Sequence, residues 1–142
     1  MSAKNISDII RGRSLFQIAP DVPVSEACAR LAQHQIGALP VVENGRLIGI
    51  VSERDVIGRV VGCGLSPETI RVREAMTAEP ETINAGSSVA QAAGVMLGGG
   101  FRHLPVVREG ALVGMISLRD IPAQYHVLME RQNDYVPERL SA

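Results

Sequence analysis

Two stretches of the sequence set the same side chains at the same spacing: Ser52-Glu53-Arg54-Asp55 and Ser117-Leu118-Arg119-Asp120. Each closes an apolar run, in "GIVSERD" (49–55) and "GMISLRD" (114–120). Ser followed three residues later by an acid at a strand-to-helix junction forms a capping box, in which hydroxyl and carboxylate satisfy each other's backbone N–H. Such a cap contributes about 1 kcal/mol. The same atoms suit a ligand. A helix start offers unpaired N–H groups and a partial positive charge, which favour phosphate. Arg54 or Arg119 adds a charge-assisted fork for phosphate oxygens. A carboxylate repels phosphate but accepts from both hydroxyls of a ribose. Ser, Arg and Asp together therefore fit a ribose-phosphate better than a bare phosphate, and the purely structural cap stands beside that reading.

The duplication extends well beyond these seven residues. When 36–56 is laid on 101–121 without a gap, ten of the 21 positions are identical, among them Leu39/Leu104, Pro40/Pro105, Val41/Val106 and Gly49/Gly114. Unrelated segments would agree at roughly one or two. Upstream, Ile18 pairs with Ile83, Val24 with Val89 and Ala27 with Ala92. With a one-residue slip, "ISDII" (6–10) resembles "VREAM" (72–76). The chain reads as a first repeat over 5–60, a linker over 61–70, a second repeat over 71–131 and a tail over 132–142.

Each repeat has the same plan. A short extended piece ("FQI", "ETI") precedes a helix with apolar residues at i, i+3, i+4 and i+7: Val24, Ala27, Cys28, Leu31 in one, Val89, Ala92, Ala93, Met96 in the other. Two apolar runs follow, joined by Asn44-Gly45 or Glu109-Gly110, which is hairpin chemistry. A second helix begins after each Ser. Pro122 removes a helical N–H and disfavours α geometry at Ile121, so in the second repeat this helix starts late or kinks. Gly98–Gly100 ends a helix and reads as a C-cap. The fold class is α+β: two β-α-β-β-α repeats packed through their sheets with pseudo-twofold symmetry, because about 55 residues bury too little apolar surface alone.

The strand before each hairpin supplies an apolar slot for a base. Pro40 and Pro105 cannot donate to a ladder, so an edge or irregular segment is expected there, with backbone groups of Ala38 and His103 positioned to read a base edge. Arg102 and His103 give the second repeat more phosphate donors than Gly37 and Ala38 give the first.

With "hPVV-x-x-G-x-hhGhhS-x-R-D" (h, apolar) in each β-α-β-β-α copy, nearly the whole chain resembles a tandem pair of CBS (cystathionine β-synthase) domains, a Bateman module of the stand-alone bacterial type. The resemblance implies two clefts for adenine nucleotides or related adenosyl ligands. It implies that Asp55 and Asp120 hold ribose hydroxyls and that Ser52 and Ser117 assist at ribose or phosphate. It places Ile18 and Ile83, with the segments before Pro40 and Pro105, along the adenine slots. It also implies disc-shaped homodimers. AMP, ADP, ATP and an adenine dinucleotide of the NAD type all fit as regulatory ligand. The expected function is a non-catalytic sensor acting on an unidentified effector protein on another chain. The alternative is a ligand-free dimerisation or interaction scaffold.

The rest of the sequence excludes more than it adds. Net charge is −1, from 14 basic and 15 acidic residues, which leaves no basic footprint for nucleic acid or an anionic membrane. At 46 % apolar the chain can build a core. The uncharged stretch 82–101 is too polar and Gly-rich for a membrane span, and no secretory signal is visible, so the expectation is a soluble cytoplasmic protein. Cys28 and Cys63 form no metal or disulfide pattern, and His34, His103 and His126 show no metal spacing. No nucleophile elbow, HExxH or Walker A motif appears, so no catalytic residue and no enzyme activity is expected. In the tail, Val127, Leu128, Tyr135 and Val136 are candidates to cover a partner subunit.

Overall fold

The structure is a computed structural model in which residues 5–125 are described. His126, the four tail residues just named and the segment 132–142 lie outside the described residues. Among the described residues the helices α1 (Ile6–Ile10), α2 (Val24–His34), α3 (Glu53–Asp55), α4 (Val72–Ala75) and α5 (Val89–Gly99) are interspersed with the strands β1 (Ala38–Glu43), β2 (Arg46–Ser52), β3 (Thr77–Ala78), β4 (Ile83–Asn84), β5 (His103–Arg108) and β6 (Ala111–Ser117). The strands form two three-stranded sheets, ordered β1-β2-β3 and β4-β5-β6. The fold is thus α+β with the same parts used twice.

The hairpins follow from their turns. Asn44 and Gly45 take φ of 53° and 77°, Glu109 and Gly110 take 51° and 80°, the paired positive values that a tight two-residue turn requires. Both hairpins shift register at the same place, between Val41 and Val42 and between Val106 and Val107. The bulge is therefore part of the repeat. On the other side of each hairpin's first strand the chain runs parallel. Ile18 bridges to Val41, and Ile83 pairs with Val106.

The helices bury the face their spacing marks. Val24, Ala27 and Leu31 of α2 are buried, as are Val89, Ala92, Ala93 and Met96 of α5. Ser88 and Gln91 form a full capping box on α5, and Gly100, with φ of 75°, ends it. α2 starts at Pro23 with no side-chain cap. Instead its first N–H groups, of Val24 and Ser25, donate to Ile70 O and Pro67 O at 2.8 Å each. The 61–70 linker thus satisfies helix donors that would otherwise be orphaned.

The chain folds as two compact units, and they differ from the sequence repeats in one respect. One unit is Ser14–Glu81; the other joins Met1–Arg13 to Thr82–Ala142. α4 leads the second repeat in sequence, but Val72 and Ala75 lie in the core with Ile18, Leu39 and Val51. α1 leads the first repeat, but Ile6 lies in the core with Ile83, Leu104 and Ile116. Backbone pairing explains the placement. Ile6 and Ser7 donate to Ser87 O and Ala85 O at 2.9 Å, while Val72 and Arg73 donate to Val22 O and Pro20 O at 2.9 and 2.8 Å.

Pro122 acts as expected. Leu118–Asp120 form a single 3-10 turn, Ile121 is extended (φ −86°, ψ 123°), and helix resumes at Ala123. In the first repeat the helical path runs on from α3 through a π-turn at Val56–Val60 to a 3-10 turn at Val61–Cys63. Among the described residues no helix is long and apolar enough to cross a membrane.

Candidate functional site

Antiparallel register builds the site at the open end of each hairpin. Ala38 lies opposite Ser52, and His103 lies opposite Ser117. The residue after each Ser locks the junction: Glu53 N–H donates to Gly37 O at 3.0 Å, Leu118 N–H to Arg102 O at 2.8 Å. Alternation along the strand then turns the Ala38 peptide groups to the far edge of β1. There Ile18 N–H donates to Pro40 O and Val42 N–H to Ile18 O. Proline at position 40 costs no ladder bond, because its nitrogen faces that outer edge. Pro40 and Pro105 therefore sit inside their strands, not at irregular starts. Ile18, Ala38, Pro40, Ile83 and Pro105 are buried, His103 is half-buried and Arg102 is exposed.

Both acids face their own backbone. The Asp55 carboxylate accepts Ser52 N–H at 2.9 Å and Ser52 Oγ–H at 3.1 Å, while Asp55 N–H donates to Ser52 Oγ at 3.2 Å. Its other oxygen accepts the Thr77 hydroxyl at 3.2 Å, with Arg59 Nε at 3.8 Å. Asp55 is 9 % exposed, the one buried charged residue among the described residues. Asp120 accepts Ser117 N–H at 2.8 Å and, more weakly, Ser117 Oγ–H at 3.5 Å. The Arg13 guanidinium grips both its oxygens, Nη1 to Oδ2 at 3.1 Å and Nη2 to Oδ1 at 2.9 Å. Burial pushes the Asp120 carboxyl up, but the Arg13 and Ser117 hydrogen bonds and the Arg13 charge outweigh it and hold it below its ordinary value.

Phosphate recognition by a bare helix tip is narrowed by this geometry. In the first repeat two first-turn N–H groups, of Glu53 and Asp55, are already taken. Phosphate would fall to side chains. Arg54 and Arg119 are exposed, with no hydrogen bond or ion pair to another described residue, and Arg102 is exposed. Sequence reasoning missed three groups: Thr77, Arg59 and Arg13. Each is brought to its acid by tertiary packing. Only Arg59, four residues after Asp55, had a readable spacing.

Among the described residues no three His, Cys, Asp or Glu side chains converge as a metal site. Burial pushes the Cys28 thiol up, away from thiolate chemistry.

A family model for the CBS domain matches residues 6–62 and again 72–122. This chain belongs to the CBS-domain family. CBS pairs of this kind are regulatory modules, and no enzymatic family is indicated. The CBS domain-containing protein YhcV of Bacillus subtilis is 35 % identical over 104 residues, covering 73 % of this chain and 74 % of YhcV. A CBS-domain-containing protein from Agrobacterium tumefaciens superposes with a TM-score of 0.75 at 37 % identity, over 84 % of this chain and 96 % of that one. The fold is also that of a CBS domain protein from Pyrobaculum aerophilum complexed with AMP, at TM-score 0.77 and 24 % identity, over 89 % and 98 % of the two chains. This CBS pair spans 65 %, 71 % and 74 % of the length of three curated relatives, from Acidianus ambivalens, Arabidopsis thaliana and Bacillus subtilis.

Proposed function

We propose that this CBS pair is a non-catalytic regulatory module that binds an adenine nucleotide, with AMP, ADP, ATP and adenine dinucleotides as candidates. The observation that carries the reading is the register Ala38↔Ser52 and His103↔Ser117. It supports the reading because Ala38 and His103, whose peptide edges suit a base, lie on the strand next to the Ser that caps an acid suited to a sugar diol. In each unit the buried isoleucine of the parallel segment, Ile18 or Ile83, supports that edge. Asp55 and Asp120 take the ribose hydroxyls, Ser52 and Ser117 assist, and Arg54, Arg119 and Arg102 meet phosphate. Nucleotide changes the module's affinity for an effector protein to the extent that it binds one conformation better than another. The exposed side chains Ile57 and Val61, one turn apart on the helical path after Asp55, are the surface we assign to homodimer pairing.

A ligand-free scaffold is the second reading, and one observation favours it. Both acids already have internal donors, so the Ser-x-Arg-Asp units work as caps without any ligand. Thermal melting with AMP, ADP and ATP separates the two. A nucleotide at about 100 times its dissociation constant adds roughly 2.7 kcal/mol, a shift of several degrees at this size. Asp120→Ala should remove the second-repeat share of that shift, on top of a lower unliganded melt from the lost cap and Arg13 pair. No shift with any nucleotide in the wild type establishes the scaffold. Native mass spectrometry of the nucleotide-loaded protein reads occupancy and assembly state together.

A further inference from the structure

The two acids that the repeats place alike are held by unlike partners. Asp55 has neutral donors around it, the Ser52 N–H and hydroxyl and the Thr77 hydroxyl. Arg59 stands off at 3.8 Å, its guanidinium engaged with Met76 O at 2.7 Å and Ala75 O at 3.3 Å. Asp120 instead carries a bidentate fork from Arg13, 107 residues away in sequence. In the register that pairs Ile10 with Met76, the first unit has Glu79 where the second has Arg13. An acid there cannot pair with Asp55, so among the described residues the bidentate arginine fork is made to Asp120 and not to Asp55. Arg13 is 47 % exposed and Asp120 15 %, so the guanidinium meets water while the carboxylate beneath it is largely covered.

The geometry points to Arg13 as a latch that makes the second site select nucleotides over nucleosides. This rests on the reading that Asp120 receives a ribose. A guanidinium fork and a sugar diol each present two adjacent donors, and they compete for the same two carboxylate oxygens. A nucleoside that takes Asp120 leaves Arg13 without its anion and offers nothing in exchange. A nucleotide carries a phosphate on the same sugar, and the displaced guanidinium, on a long half-exposed side chain, re-pairs with it. Arg13 is also the last residue of its unit before the chain crosses to Ser14.

The test is calorimetric titration of the full chain with AMP and with adenosine, for wild type, Arg13→Gln and Arg13→Lys. Amide shifts of Ser117 and Asp120 against those of Ser52 and Asp55 assign each binding event to its repeat. At the second site, wild type should favour AMP. Arg13→Gln should bind adenosine more tightly and AMP more weakly, so that the AMP-to-adenosine ratio falls about tenfold or more, the scale of one charge-assisted hydrogen bond. Arg13→Lys, which keeps the charge without the fork, should fall between. The first-site ratio should not move. Equal changes for both ligands, or no change, overturn the latch while leaving nucleotide binding intact. If neither compound shifts any of the four amides in wild type, the ribose reading fails and the latch with it.

Discussion

At the scale of single residues, two aspartates with one motif are held by different partners. Asp120 has its pKa lowered in the folded protein, chiefly by Arg13 and the Ser117 N–H against the opposing effect of burial. A depressed folded pKa gives stability that is present above the unfolded value, about 3.9, and is lost as pH falls through the folded value. Arg13→Gln should therefore lower stability at neutral pH by up to about 1 kcal/mol, given how exposed the arginine is. The gap between variant and wild type should narrow as pH falls below the unfolded value and close only below the lowered folded value, where the carboxyl is protonated in both. Urea midpoints at pH 7, 5 and 3 measure it; a gap that stays constant would show that Arg13 acts through packing. The motif, the acid's position and its partner Ser were readable from sequence. The arginine was not, because a contact across 107 residues leaves no spacing to read.

At the scale of elements, the repeated glycine in Gly-h-h-Ser has a steric cause. A Cβ on Gly49 would lie 2.5 Å from Met76 Sδ and 3.0 Å from the Thr77 carbonyl oxygen. On Gly114 it would lie 3.0 to 3.2 Å from three atoms of Ile10. The end of α1 and the residues just after α4 thus press on the same point of their respective hairpins. Gly49→Ala and Gly114→Ala should each cost about 1–3 kcal/mol, as overpacking does. Combining Gly114→Ala with Ile10→Ala should be less destabilising than the sum of the two, read as a coupling in urea midpoints. Met76→Ala should relieve Gly49→Ala only in part, since the Thr77 carbonyl remains. The one-residue slip aligning "ISDII" with "VREAM" foretold that Ile10 and Met76 were equivalents. It did not foretell what they touch. Turn chemistry and the Pro122 break were readable because both are local dihedral constraints. The π-turn at Val56–Val60 had no such local signature.

At the scale of the whole chain, the leading helices are exchanged between the repeats, and this was hidden from sequence. Periodicity marks which face of a helix is buried but not which sheet buries it. The backbone donors of Ile6 and Ser7 decide the matter by pairing with Ser87 O and Ala85 O. Deleting residues 1–13 should therefore unprotect the amides of Val106 and Ile116 in hydrogen exchange, while those of Leu39, Val41 and Val51 keep most of their protection. Equal loss in both sheets would contradict the division into Ser14–Glu81 and the remainder.

The exchange also sets an order of events on the ribosome. By the time Glu81 has emerged, the first sheet, its helix α4 and the linker that caps α2 are all available to one another. Ile6, Ile9 and Ile10 are made before all of these, yet their seat on β6 and the α5 side does not exist until about a hundred residues later. The α1 segment thus waits with three isoleucines in water until β6 has been made and gives them a place.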